Sequence, residues 1–166
     1  MYALHCTKKL LDRIKVSPDA SLSLPPSTTL GNWYATALFW KPQVALLVNE
    51  RTLLPVLMPM APASTLAARF PTELAAILRA HGASQAFVAG EVASMSEVSV
   101  AKTANRSVVG TMNEFAFLAE AYREDIGTPD LVALSMRLAD TPCGAIKHSS
   151  PERLLKEVLG APAHWS

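Results

Sequence analysis

Charge is scarce in this chain. Asp, Glu, Lys and Arg make up 17% of its 166 residues, and 15 basic against 14 acidic side chains leave a net charge of +1. A protein that coats nucleic acid draws its affinity from neutralising phosphates and carries a clear basic excess. None is present, which excludes a surface-wide basic footprint and leaves room only for a local basic pocket. Cysteine is nearly absent as well. Cys6 and Cys143 stand far apart, and no Cys-x-x-Cys or His-x-x-x-His spacing involves them or His5, His81, His148 and His164. Two reduced thiols are expected, with no structural zinc site. Long apolar runs are missing too. The longest, around Val44–Val48 and Leu53–Met60, are short or broken by proline, so no membrane span is expected. The chain enters a strand-like segment at Tyr2 without an apolar leader. The expectation is a cytoplasmic protein with no membrane partner, metal or cofactor.

What the chain does have is apolar bulk. Hydrophobic residues make up 50%, enough buried surface to offset the entropy of ordering the backbone. The length fits one domain over residues 1–166. The low charge also favours an apolar surface patch and self-association into a homo-oligomer.

Along the chain, Tyr2 to Cys6 reads as a strand and Lys8 to Lys15 as a helix, with Thr7 placed to cap it and Leu10, Leu11 and Ile14 on one face. Residues 17–32 form a long Ser/Pro-rich loop around Pro25-Pro26. Trp33 to Trp40 is the clearest strand. Gln43 to Val48 and Thr52 to Met58 follow as a hairpin, turned at Asn49-Glu50-Arg51 because asparagine tolerates a left-handed backbone. Pro55 cannot donate to a ladder, which assigns the second of these strands to an edge or a bulge. Ala63 to His81 is helical and is expected to split at Pro71. Ser84 caps another helix running to about Met95, in competition with a strand over Ala86–Ala89. Glu97 to Thr103 alternates as a strand and feeds a helix from Arg106 to Arg123. Gly110 inside that helix costs about 1 kcal/mol relative to Ala, and close packing of another backbone would account for it. Leu131 to Ala139 alternates through Leu134, Met136 and Leu138 and reads as a last strand, with a helix as the alternative. Ser150-Pro151 opens a terminal helix. The sum is an α+β fold: an antiparallel or mixed sheet with a central hairpin and helices gathered on one face.

Polar chemistry concentrates in Lys102-Thr103-Ala104-Asn105-Arg106-Ser107, which bridges a strand and a helix start. The first amides of a helix lack internal partners and attract anions. Lys102 and Arg106 add full charge, while Thr103, Asn105, Ser107 and Asn113 add hydrogen-bonding groups. The alternative is that Thr103 or Asn105 simply caps the helix and the cations are solvated. A second junction, Thr7-Lys8-Lys9, has the same character. If its strand lies parallel to and beside the one ending at Lys102, then Lys8, Lys9, Lys102 and Arg106 meet at one sheet end. An antiparallel pairing would separate them. His5 and Cys6 are strand neighbours that point to opposite faces, which disfavours a dyad between them. No phosphate-binding Gly-x-x-x-x-Gly-Lys or Gly-x-Gly-x-x-Gly pattern occurs.

The block from Lys102 to Asn113, Thr-x-Asn-Arg-Ser-Val-x-Gly-x-Met-Asn after a strand, resembles an uncharacterised bacterial domain-of-unknown-function family. Cys6-Thr-Lys-Lys-Leu-Leu11, Trp33-Tyr-Ala-Thr and Val48-Asn-Glu-Arg-Thr-Leu-Leu-Pro-Val56 match its pattern too. The resemblance implies a small stand-alone or fused bacterial domain and carries no activity with it.

Two functional readings follow. In one, Lys102, Asn105, Arg106 and Ser107 hold a phosphate-bearing ligand: a nucleotide, nucleic-acid phosphate or acidic metabolite. In the other, the domain is a non-catalytic interaction or regulatory module for a protein partner, with Asn105 and Arg106 as structural groups that satisfy buried carbonyls. No nucleophile–base pair or metal-ligand set is legible, so the reading leans away from an enzyme.

Overall fold

The aromatic run predicted as the strongest strand forms the middle of the sheet. A computed structural model of the chain describes residues 1–19, 25–126, 130–147 and 149–160. Five strands, β1 (Tyr2–Cys6), β2 (Trp33–Leu38), β3 (Val44–Asn49), β4 (Pro55–Pro59) and β5 (Val98–Lys102), lie in the order β4-β3-β2-β1-β5. β1 runs parallel to both β2 and β5, whereas β2, β3 and β4 form an antiparallel meander. The sheet is therefore mixed, with the expected hairpin inside it. Six helices surround it: α1 (Lys8–Ile14), α2 (Leu66–Ala80), α3 (Gln85–Ala93), α4 (Arg106–Ile126), α5 (Leu131–Ala139) and α6 (Pro151–Val158). Single 3-10 turns sit at Ala63–Thr65 and Gly144–Ile146. Of the loop expected over 17–32, residues 20–24 lie outside the described residues.

The α+β class stands, but the helices are not gathered on one face. Every residue of β2 and β3 is buried, so both faces of the sheet need cover. Alternation sends Trp33, Ala35 and Leu47 toward Leu10 of α1, Phe70 and Leu74 of α2, Val88 of α3 and Leu155 of α6. It sends Tyr34, Leu46 and Val48 toward Val108, Met112 and Phe115 of α4 and Leu134 and Leu138 of α5. Two apolar clusters sandwich the strands.

Leu131–Ala139 is a helix, not the expected last strand. Leu134, Ser135, Leu138 and Ala139 are buried, a helical stripe that period-2 counting over Leu134, Met136 and Leu138 imitates, because residues four apart satisfy both periods. Asp130 starts the helix, its Oδ1 accepting the Ala133 N–H at 3.0 Å. α5 lies along β4, where the Leu57 N–H donates to Ser135 Oγ at 2.9 Å. β4 is an edge strand opening on Pro55, as a proline in that run requires.

Three smaller expectations change. Pro71 does not split its helix: α2 continues through it, with Phe70, Leu74, Ile77 and Leu78 packed on the sheet to offset the roughly 3 kcal/mol that an interior proline costs. The left-handed residue of the β3–β4 turn is Leu53, at φ 62°, while Asn49 acts through its side chain. Gly110 is exposed, and a Cβ built there meets nothing within 4 Å, so no backbone packs against it. Ser84 caps α3 as expected, its Oγ accepting the Phe87 N–H at 3.1 Å.

Candidate functional site

The two strand-to-helix junctions meet. β1 and β5 are parallel neighbours in the register His5↔Ala101 and Cys6↔Lys102, so Thr7 and Thr103 leave the sheet at one end. From there the chain diverges. α1 turns onto the face that holds Trp33, and α4 onto the face that holds Tyr34. Adjacent parallel strands whose following helices go to opposite faces leave a crevice outside their carboxyl ends, the usual ligand position in open sheets of this kind. Two depressions of about 440 and 520 Å³ occupy it and share Pro18, Lys102 and Thr103. The first adds His5, Asp19 and Ala104. The second adds Cys6, Lys8, Asp12 and Ser17.

The nine residues singled out from the sequence separate here. Lys8, Lys102 and Thr103 line the second depression together. Lys8 and Lys102 are exposed, and neither forms an ion pair with a described residue. Lys9 is exposed on α1 with its Nζ 5.9 Å from the centre of the Phe39 ring, away from the shared lining. Arg106 is exposed and its guanidinium makes no hydrogen bond or ion pair with a described residue, so it satisfies no buried carbonyl. Asn113 is exposed farther along α4 and lines neither depression.

Asn105 is the cap of α4. Its Oδ1 accepts the N–H groups of Ser107 at 2.9 Å and Val108 at 3.3 Å. Two amides that were expected to face an anion are therefore occupied by the helix's own first side chain, and Ser107 contributes its N–H to that cap. Thr7 stands at the start of α1 but does not cap it. Its hydroxyl is 2.9 Å from that of Thr36 on β2, and that pairing holds the junction to the sheet. At the start of α4, cations on side chains rather than capped amides are the positive groups that face this crevice.

Sequence reasoning missed His5 and Tyr34. Their rings stack with centroids 4.6 Å apart and planes 20° from parallel, as cross-strand neighbours on β1 and β2. His5 Nδ1 lies 2.8 Å from the Lys102 carbonyl oxygen. The Tyr34 hydroxyl accepts the Asn105 N–H at 2.8 Å. These two contacts clamp the 102–105 segment against the sheet. The available signal was the place of His5, one residue before the end of a strand, where a side chain meets the crevice rather than the core. Cys6 points to the other face, as strand alternation requires. Burial pushes its thiol up to about 12, so it stays protonated and is a poor nucleophile. Cys143 is buried and free, and burial, with Glu114 nearby, pushes it up to about 11. Among the described residues no three His, Cys, Asp or Glu side chains gather in a metal-binding arrangement, and no helix is long and apolar enough to cross a membrane.

Comparison with known proteins finds no match among curated proteins or solved structures. One family model, described as a domain of unknown function (DUF6933), matches residues 3–154, a span that takes in β1 from its second residue, the other four strands, both junctions of the crevice and the helices through the first half of α6. On that match the chain belongs to the DUF6933 family.

Proposed function

We propose that the crevice at the carboxyl ends of β1 and β5 binds a small ligand through an anionic group, a phosphate or carboxylate held by Lys8 and Lys102. The observation that carries this reading is the parallel register Cys6↔Lys102, which supports convergence of two unpaired lysines on one depression. Thr103 adds a hydroxyl to the same lining, and Arg106 and Lys9 add positive potential at longer range. Asp12 and Asp19 also border the crevice, so the anionic group sits on the lysine side. The role is binding rather than catalysis, in a bacterial cytoplasm where two unpaired, buried cysteines stay reduced. Thermal unfolding in inorganic phosphate, nucleotides and short carboxylates tests it. A ligand at one hundred times its Kd stabilises the folded state by about 2.7 kcal/mol, and Lys8→Ala/Lys102→Ala should lose that shift. Equal shifts in the variant and the wild type, or none in either, refute the reading.

A second reading, an interface for a protein partner or a second copy, draws on Phe117, which is 76% exposed on α4. Aromatic rings are enriched in the buried centres of protein interfaces, where they fill pockets on the partner. Light scattering across a concentration series, with Phe117→Glu as control, decides whether that face self-associates.

A further inference from the structure

His5 is held on two sides and open on the third. Its ring stacks on Tyr34. Its Nδ1 faces a main-chain carbonyl at 2.8 Å, and a carbonyl oxygen only accepts, so Nδ1 carries the hydrogen. That bond fixes the tautomer: in the neutral ring the hydrogen is on Nδ1 and Nε2 carries a bare lone pair. Nε2 has no hydrogen-bond partner among the described residues and is not a buried atom, and the side chain lines the depression beside Lys102 and Thr103. A lone pair there repels an anion. A second proton on the ring turns Nε2 into a donor and adds a positive charge next to Lys102.

We propose that an anion held on Lys102, over the lining the two depressions share, also reaches His5, and that the site takes up a proton on His5 Nε2 when the anion binds. This rests on the reading of the crevice as an anion site. The charged and titratable groups around the ring are Lys102 and Asp19 in the same depression, Tyr34 beneath it, and Lys8 and Asp12 in the adjoining one. Lysines keep their charge through the neutral range, whereas an imidazole changes charge there. The affinity for an anion of fixed charge therefore rises as pH falls, and His5 is the group responsible.

Inorganic sulfate is the probe, because its charge is constant between pH 6 and 8. Isothermal titration should give binding to the wild-type chain several-fold tighter at pH 6 than at pH 8. His5→Asn keeps an N–H where Nδ1 stands, to donate to the Lys102 carbonyl, but has nothing in place of Nε2. It should unfold at the wild-type temperature and bind sulfate weakly and equally at both pH values. Should this variant fail to fold, the ¹⁵N resonance of His5 Nε2 in the wild-type chain gives the same answer, by moving to the protonated position during a sulfate titration at pH 7. Wild-type binding that is the same at both pH values, or pH dependence that survives in His5→Asn, overturns the role of His5 and leaves the lysine site standing. No binding of sulfate or phosphate at either pH overturns both.

Discussion

Asn49, at the end of β3, holds the carbonyl oxygen of Leu30, in the loop before β2, at 2.9 Å through its side-chain amide. The same side chain donates to the Asn32 carbonyl, and its Oδ1 accepts from Thr52 Oγ1 and from the N–H groups of Arg51 and Thr52. The residue is fully buried. It ties the β3–β4 turn to the segment entering β2, at the sheet end opposite the crevice.

Asn49→Ala should therefore be among the most damaging polar substitutions in the chain. It strands the buried Leu30 carbonyl and the buried Thr52 amide, each costing about 1–3 kcal/mol, so the loss should be roughly 3 kcal/mol or more in urea unfolding. A loss below about 1 kcal/mol would mean that the turn holds its shape without this side chain.

His81 sets a pH dependence of stability. It is 4% exposed, and neither ring nitrogen has a hydrogen-bond partner. Glu152 Oε1 approaches Nδ1 at 3.7 Å, and Lys156 Nζ approaches the same oxygen at 3.7 Å. Burial lowers the pKa of His81, and Glu152 only partly opposes this. The contact with Glu152 is thus one between a carboxylate and a neutral ring rather than an ion pair. Below about pH 6.5 the unfolded chain takes up a proton that the folded chain refuses. Stability is fully present above that pH and falls as the solution is acidified, by up to about 1.4 kcal/mol per pH unit until the lowered folded-state pKa is reached. Denaturation of wild type and His81→Leu at pH 7.5 and 5.5 should show the steeper acid loss in the wild type. Parallel slopes would place the proton uptake elsewhere.

The start of α4 separates three neighbouring side chains by their effect on folding. Asn105→Ala removes the cap and should cost about 1 kcal/mol. Arg106→Ala should change stability by less than about 0.5 kcal/mol, since its guanidinium touches nothing that needs it. Gly110→Ala should stabilise by about 1 kcal/mol, because the added methyl enters open space on a helix. Denaturation midpoints of the three variants check the order. A destabilised Arg106→Ala would restore the structural role once open for that residue.

What the sequence disclosed was local. The junctions at Cys6–Lys8 and Lys102–Arg106 carry their strand-to-helix character in their own residues, and Ser84 and Pro55 announced a cap and an edge. The pairing that brings the junctions together joins Cys6 to Lys102, far apart in the chain, and no local pattern encodes it. Asn105 showed the opposite difficulty. Its chemistry suits a cap and a ligand contact equally, and only geometry reveals that the cap already uses its oxygen. Leu134 and Leu138 fitted two periods at once, and burial of Ser135 between them marks the stripe as helical. Covering both faces of the sheet was equally hidden, since it depends on β2 and β3 lying in the middle, a matter of strand order.

The hydroxyl of Ser135 also bears on how copies of this chain can meet. It takes the outward amide of Leu57, a donor that an edge strand would otherwise offer to a further strand. Pro55 and Pro59 at the two ends of β4 carry no N–H, so a strand laid along β4 would find no free amide on the side of Leu57 to pair with. At the other margin the Asp19 N–H donates to the Val100 carbonyl of β5 at 2.8 Å, so a strand adding there would first have to displace that contact.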